Sequence, residues 1–318
     1  MIKAIAVVGP TAVGKTAFSV SLANKIKAEI ISCDSMQVYK HMDIGTAKAT
    51  AAERGGIPHH MLDILLPSEP YSAADYAADA LNCALGITER GNVPIFCGGT
   101  GLYLDAVRYG RLDDDGCHDA EYTMELLRKA REPGGIDELH DILSELDPQS
   151  AQEIHKNNVK RVIRALEIYH SSGVKKSEKD KKSREKNPNI DMLVIGLCAS
   201  SREVLYDRIN SRVDKMIGDG LVEEVRFLDE HGYLNENLTA AQAIGYKEIL
   251  PYIKGEMTLG ECTEKLKTAS RRYAKRQLTW FSNRDDDMIW LETDKDGALA
   301  PFDVLYDRVK ERISDFLG

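Results

Sequence analysis

Residues 9–16 read Gly9-Pro10-Thr11-Ala12-Val13-Gly14-Lys15-Thr16, the spacing Gly-x-x-x-x-Gly-Lys-Thr. An apolar run, Ile2–Val8, precedes the motif, and Phe18, Leu22 and Ile26 follow it at i, i+4 and i+8. A strand that feeds a Gly-rich loop and then a helix is the P-loop context, in which backbone N–H groups converge on phosphate oxygens. The positive end of the following helix adds to the attraction. Lys15 supplies a point charge there, and the Thr16 hydroxyl is placed to ligate Mg²⁺. The motif requires a sheet whose strands end on a ligand, and it predicts a catalytic diphosphate or nucleotide site over residues 9–16. It does not choose the phosphate compound.

The first hundred residues repeat that rhythm. Strand-like Ala28–Ser32, a helical stretch over residues 76–87, strand-like residues 93–97 and a later run over 192–198 argue for an α/β fold. The expected core is a parallel sheet with helices on both faces. Between residues 113 and 172 the rhythm gives way to charged, helical sequence, most simply an all-helical insertion between two strands. Residues 173–191 are rich in Lys, Glu, Ser and Asn, with Val174 and Ile190 their only aliphatic side chains. They read as a solvated, mobile connection. The expected division is a core of residues 1–112 and 191–318 and an insertion of residues 113–190.

Bulk properties narrow the setting. The 318 residues carry a net charge of −9, so any polyanion-binding surface has to be local. No run approaches the ~18 apolar residues a membrane span needs, and Met1 leads directly into the first strand. Six scattered cysteines, with no Cys-x-x-Cys and no histidines at ligand spacing, suggest a reducing cytoplasm and no structural metal.

Two further strand ends sit beside the phosphate motif. The second delivers Asp34-Ser35-Met36-Gln37, placing a carboxylate and an amide at the carboxyl end of a parallel strand, where such sheets bind ligands. Asp34 suits a general base or a magnesium ligand. The third ends in Gly98-Gly99-Thr100-Gly101, which offers backbone room and one hydroxyl beside a phosphate.

Far down the chain, residues 259–284 read as one long helix. Leu259, Cys262, Leu266, Ala269, Tyr273 and Trp280 mark one face, and Lys265, Lys267, Arg271, Arg272, Lys275 and Arg276 the other. Counting Arg284, seven basic residues stand against two glutamates, a local excess of +5 inside an acidic protein. That asymmetry predicts a polyanion-binding surface.

Taken together the motifs resemble one family, the tRNA dimethylallyltransferases, also called tRNA isopentenyltransferases. The matching pieces are residues 9–16, Asp34-Ser35-Met36-Gln37-Val38-Tyr39, Asp43-Ile44-Gly45-Thr46-Ala47-Lys48, Gly56-Ile57-Pro58-His59-His60, Gly98-Gly99-Thr100-Gly101-Leu102-Tyr103, Arg164-Ala165-Leu166-Glu167, Gly245-Tyr246-Lys247-Glu248 and residues 273–280. They run in the family's order over almost the whole chain. The resemblance implies transfer of a dimethylallyl group from its diphosphate to N6 of the adenine 3′ of the anticodon, in tRNAs reading codons that begin with U. The phosphate loop, which elsewhere serves ATP, would then grip an isoprenoid's leaving group with Lys15, Mg²⁺ on Thr16, and Arg212. Asp34 would take the proton from the adenine amino group, once that base is flipped from its stack. Contacts to tRNA would come from Ser35, Met36, Gln37 and Thr100 around the base. Others would come from Thr123, Lys160, Arg161, Val162, Ile163 and Arg164 in the insertion, and from Arg271, Arg272, Lys275 and Arg276 on the basic helix. His155-Lys156-Asn157-Asn158, Thr123 and Ala49 depart from the family's usual residues. His59 and His60 read as hydrogen-bonded structural histidines. The implied partners are the tRNA anticodon stem-loop and dimethylallyl diphosphate, the implied state a cytoplasmic monomer.

Two other readings stand beside this one. A small-molecule kinase using ATP explains the first hundred residues but not the basic helix. A non-catalytic RNA-binding protein that uses nucleotide as a switch leaves Asp34 beside the loop without a role.

Overall fold

The computed structural model describes residues 1–110, 119–182, 185–235, 238–283, 287–295 and 297–318. The chain divides into two compact units, Met1–Arg108 with Pro188–Gly318, and Tyr109–Asn187. Arg284 and Cys117 lie outside the described residues, and the other five cysteines are unpaired.

The larger unit is built on six strands, β1 (Ile2–Val8), β2 (Ala28–Ser32), β3 (His59–His60), β4 (Val93–Gly98), β5 (Ile190–Cys198) and β6 (Ile289–Glu292). They pair in the order β3-β2-β4-β1-β5-β6, every ladder parallel. β1 shows why its sequence is a central strand: residues 4–8 are all at most 1% exposed, and they alternate between the sheet's two faces. Ala4, Ala6 and Val8 join Ile31, Phe96, Tyr76 and Tyr103 on one face, while Ile5 and Val7 join Ile30, Ile95, Phe18 and Leu22 on the other. Burying each large side chain of this kind contributes about 1.5–3 kcal/mol.

Register then places the site. Val7 and Ser32 both pair with Cys97, and Val8 pairs with Gly98 and Gly196. The loops that leave β1, β2 and β4 therefore depart from one edge at one level, the carboxyl edge at which α/β sheets bind ligands. Helices flank both faces, including Lys15–Ile26 after β1 and Ala73–Glu89 before β4. The latter starts three residues before its apolar pattern, because Ser72 and Asp75 form a capping box. A third apolar cluster lies among the helices Arg202–Gly218, Leu221–Glu230, Tyr246–Ile253 and Leu259–Ser282. Among the described residues no helix is long and apolar enough to cross a membrane.

The smaller unit is all-helical among its described residues, with helices Ala120–Lys129, Gly135–Leu146, Pro148–Glu153, Val159–Ser172 and Lys176–Lys182. Leu126, Leu139, Leu143, Ile154, Val162, Ile163, Ala165 and Leu166 form its core. Two expected RNA contacts are corrected here. Val162 and Ile163 are 1% and 4% exposed, so their side chains hold the unit together and do not face a ligand. The first part of the lysine-rich connection, Lys176–Lys182, is helical where its composition predicts a mobile chain. The Ser177 N–H donates to Oδ2 of buried Asp147 at 2.9 Å, docking the helix Lys176–Lys182 on the same unit.

Candidate active site

The three strand ends, the helix Arg202–Gly218 and the basic helix Leu259–Ser282 enclose a cavity of about 640 Å³. Thr11, Ala12, Gly14, Lys15, Thr16, Asp34, Ser35, Met36, Gln37, Arg212 and Arg276 all line it, so the expected catalytic residues Lys15, Thr16, Asp34 and Arg212 converge on one space.

The loop after β1 reaches this space because Gly9 crosses the β5 backbone closely: a Cβ there would lie 2.2 Å from the Leu197 carbonyl oxygen. Gly14, left-handed at φ 86°, opens the following helix without a side-chain cap. Lys15 Nζ turns back on its own loop, donating to the Gly9 and Pro10 carbonyls at 3.0 and 2.7 Å. Burial lowers its pKa to about 8; the nearby Arg212 charge works the same way, against the Cys97 and Asp34 groups that favour the cation. Arg212 donates from Nη1 to Thr11 Oγ1 at 2.6 Å, and burial lowers its pKa too, against the opposing charges of Asp34 and Glu53. Two desolvated cations thus face one cavity, the electrostatic arrangement that favours an anionic ligand.

Asp34 lines the same cavity, close enough for its charge to act on both. Its Oδ1 accepts the Met36 N–H at 3.0 Å, which fixes the turn after β2. Thr100 does not line the cavity but braces it, its Oγ1 accepting the Ser35 N–H at 3.0 Å. Tyr273, hydrogen-bonded to Thr100, has its pKa raised by burial and by the Asp34 charge. Gln37 is committed within the protein: Ser32 Oγ donates to its Oε1 at 2.8 Å, and its Nε2 donates to the Thr46 carbonyl at 3.2 Å. The glycines after β4 make room for protein rather than for phosphate. A Cβ at Gly98 would meet the Cys33 carbonyl oxygen at 2.0 Å, and one at Gly101 the Trp280 ring at 2.2 Å.

The basic helix separates into two sets of cations. Arg272, Lys275 and Arg276 are exposed. Arg271 donates to Asn210 Oδ1 at 2.6 Å and Thr268 Oγ1 at 2.9 Å, and Lys267 pairs with Asp214 at 2.8 Å and Glu264 at 3.0 Å. Its buried face, Cys262, Leu266, Ser270, Ala274, Gln277 and Phe281, is rotated by roughly 50° from the apolar stripe read in the sequence, at about 100° per residue. Ala274 and Phe281 carry that shift, and polar Ser270 and Gln277 fall between them and Leu266. Ser270 and Gln277 line the cavity with Tyr273 and Lys247, and none of the four was expected as a site residue. A glutamine in phase with Leu266 and Phe281 was the available signal.

Both histidines are hydrogen-bonded within the protein, and His59 also lines the cavity. His60 Nε2 pairs with Glu29 at 2.7 Å and His59 Nδ1 with the Ile57 carbonyl at 2.8 Å. Arg90, then Asn92 and His60, hydrogen-bond Glu29 and hold its carboxyl at about 2.

In the smaller unit Lys160 and Arg161 are exposed, Arg164 pairs with Glu167 at 3.4 Å, and the Thr123 hydroxyl donates to Glu167 at 2.5 Å. Thr123 therefore braces that unit's helices.

A family model described as IPP transferase matches residues 37–284. This chain belongs to the IPP transferase family. It is 49% identical over 284 residues to the tRNA dimethylallyltransferase of Bacillus mycoides, covering 89% of this chain and 88% of that one. It is 44% identical over 318 residues to that of Caldanaerobacter subterraneus, covering 100% and 98%. Among solved structures it resembles the full-length tRNA isopentenylpyrophosphate transferase of Bacillus halodurans, at 44% identity and a TM-score of 0.72 over 100% and 97% of the two chains. It also resembles a eukaryotic dimethylallyltransferase studied crystallographically while acting on tRNA, at 32% identity and a TM-score of 0.83 over 99% and 79%. The sheet carries the phosphate loop at the end of β1 and Asp34 at the end of β2, with β4 between them.

Proposed function

We propose that this chain is a tRNA dimethylallyltransferase. It moves a dimethylallyl group from dimethylallyl diphosphate to N6 of the adenine next to the anticodon on its 3′ side, position 37, in tRNAs reading codons that begin with U, and it releases diphosphate. The observation that carries the reading is the shared cavity: Lys15, Arg212 and Asp34 line it together with Tyr273 and Arg276 of the basic helix. A phosphate grip, a proton acceptor and an RNA-facing helix meet at one place.

In this reaction the bond from the allylic carbon to the diphosphate oxygen breaks while the bond from N6 forms, and N6 sheds a proton. Negative charge grows on the departing diphosphate. Lys15 and Arg212, already desolvated, stabilise that charge more than water does. Asp34 accepts the N6 proton, so it acts only as the new bond forms. Magnesium suits the donors present: among the described residues no group of three His, Cys, Asp or Glu could form a cage, and Mg²⁺ commonly sits between one or two protein oxygens and substrate phosphates. Thr16 would hold it, and when bound it would neutralise charge on the leaving group. Exposed Lys160 and Arg161 of the helical unit, and Arg272 and Lys275 of the basic helix, are suited to the RNA backbone. The enzyme is read as a cytoplasmic monomer. The kinase reading is not favoured, because it leaves the basic helix unexplained and the relatives named above are transferases acting on another chemistry.

Incubation with labelled dimethylallyl diphosphate and an unmodified anticodon stem-loop tests the reading. The expected result is label on the RNA at that adenine. Phosphorylation of a small molecule by ATP without prenyl transfer would sink it.

A further inference from the structure

Gln277 is 5% exposed, and both ends of its amide are used. Oε1 accepts the Thr11 N–H at 2.9 Å, and Nε2 donates to the Gly99 carbonyl at 3.0 Å. These partners are 266 and 178 residues away in sequence, one in the phosphate loop and one in the glycine turn after β4. The backbone is shaped around the side chain: a Cβ at Gly99 would lie 2.0 Å from Gln277 Nε2. Arg212 holds Thr11 from its other side, through the hydroxyl. On the helix itself, at about 100° per residue, Arg272 and Lys275 fall opposite Gln277, and both are exposed. One helix thus turns basic side chains outward and, within two turns, grips the phosphate loop inward.

We propose that Gln277 is a positioning residue that couples the two substrates. An RNA backbone engaged by the outer face fixes the helix, and Gln277 transmits that placement to the phosphate loop and the glycine turn, so that bound RNA raises affinity for diphosphate. The identity of the RNA and of the diphosphate rests on the function proposed above; the coupling does not. The transmission is geometric. An amide that bonds two backbone groups holds both distances within roughly 2.7–3.2 Å, so a displacement of the helix by about an ångström strains or breaks the bridge. By linkage the effect is reciprocal: diphosphate raises affinity for RNA by the same factor.

The test measures binding of inorganic diphosphate, with Mg²⁺, to the full chain with and without a saturating unmodified anticodon stem-loop. Wild type, Gln277→Met and Gln277→Glu are compared. In wild type the RNA is expected to tighten diphosphate binding roughly tenfold, inside the usual 5–150-fold range of coupling. Gln277→Met fills the space but bonds neither partner, and its ratio is expected to fall to about one while RNA alone binds as in wild type. Gln277→Glu keeps an acceptor for the Thr11 N–H but sets a carboxylate against the Gly99 carbonyl, and is expected to keep only part of the ratio. A merely structural glutamine would weaken each ligand singly and leave their ratio intact. An unchanged ratio in Gln277→Met, or a ratio of one in wild type, overturns the proposal; if the methionine variant does not fold, an unchanged ratio in Gln277→Glu does. None of these readings needs prenyl transfer, so wild type that shows coupling but no transfer refutes the function alone.

Discussion

Two segments border the same cavity and are held in opposite ways. In the turn of residues 43–48, polar groups are satisfied from within the protein. Glu224 accepts the N–H groups of Asp43, Ile44 and Gly45 at 2.9, 2.8 and 3.0 Å, and Tyr246 donates to the same carboxylate at 2.7 Å. Buried Lys48 reaches Asp43, Asp63 and the Tyr39 carbonyl at 2.5, 2.6 and 2.9 Å. At the phosphate loop, by contrast, Lys15 and, from the helix Arg202–Gly218, Arg212 are desolvated cations whose hydrogen-bond partners there are neutral oxygens. Charge satisfied inside the protein makes a wall. Charge left facing the cavity makes a site, at the cost of stability that active sites commonly bear.

The contrast is broken most severely at Asp34. An Asp34→Ala variant is expected to lose turnover by about 10³-fold, in the middle of the range for general acid–base groups, while retaining diphosphate binding. Single-turnover transfer and equilibrium binding measured on one preparation check this. Undiminished turnover would remove the carboxylate from its role.

Lys15 comes next. Lys15→Met is expected to weaken diphosphate binding by about 10²-fold, the loss of one charge-assisted hydrogen bond. The pH dependence has a definite sign. With its pKa lowered to about 8, Lys15 in the free protein sheds its charge as pH rises through that value. Affinity relative to Lys15→Met should be greatest below pH 8 and decline above it, and binding should take up protons there, because a bound anion favours the cation. A constant ratio of the two affinities across pH 7–9 would show that Lys15 does not meet the ligand.

On the wall the corresponding change acts on stability. Lys48→Met leaves the buried Tyr39 carbonyl without its donor and two carboxylates without their shared cation. A loss of about 2 kcal/mol is expected by denaturant unfolding, in the range for an unsatisfied buried polar group. The methionine's apolar stem refills the space, so cavity formation adds little. A loss below about 0.5 kcal/mol would mean that these hydrogen bonds are offset elsewhere, as surface substitutions usually are.

How far these features were legible follows the same division. Strands β1, β2, β4 and β5 announce themselves because parallel strands buried on both faces are unbroken apolar runs. β3 is two histidines and β6 four residues of which only Leu291 is buried, too short for any period to show. The phosphate loop and Asp34 were readable because local spacing determines them. Gln277, Glu224 and Tyr273 were not assigned, since their partners lie tens to hundreds of residues away and polar residues on a buried face run against the apolar pattern. Val162 and Ile163 came in as RNA contacts through the resemblance, which carries over the whole run of residues 160–164 and does not see that two of them are buried.

The finest test compares cations on one helix. Arg272 and Lys275 are exposed, whereas Lys267 is held by Asp214 and Glu264, so equal charges should contribute unequally to RNA binding. Replacing Arg272 and Lys275 together by Ala is expected to reduce the slope of log affinity against log salt by up to about 2, since each lost phosphate contact removes roughly 0.9 on a duplex. Lys267→Met is expected to leave that slope unchanged while costing about 0.5 kcal/mol of stability, the ordinary worth of exposed pairs. Arg271 is a poor choice for this comparison, because removing it also breaks its bond to Asn210. If Lys267 lowers the slope as much as the exposed pair does, the pairing seen within the protein exchanges for RNA, and the distinction between satisfied and unsatisfied charge fails on this surface.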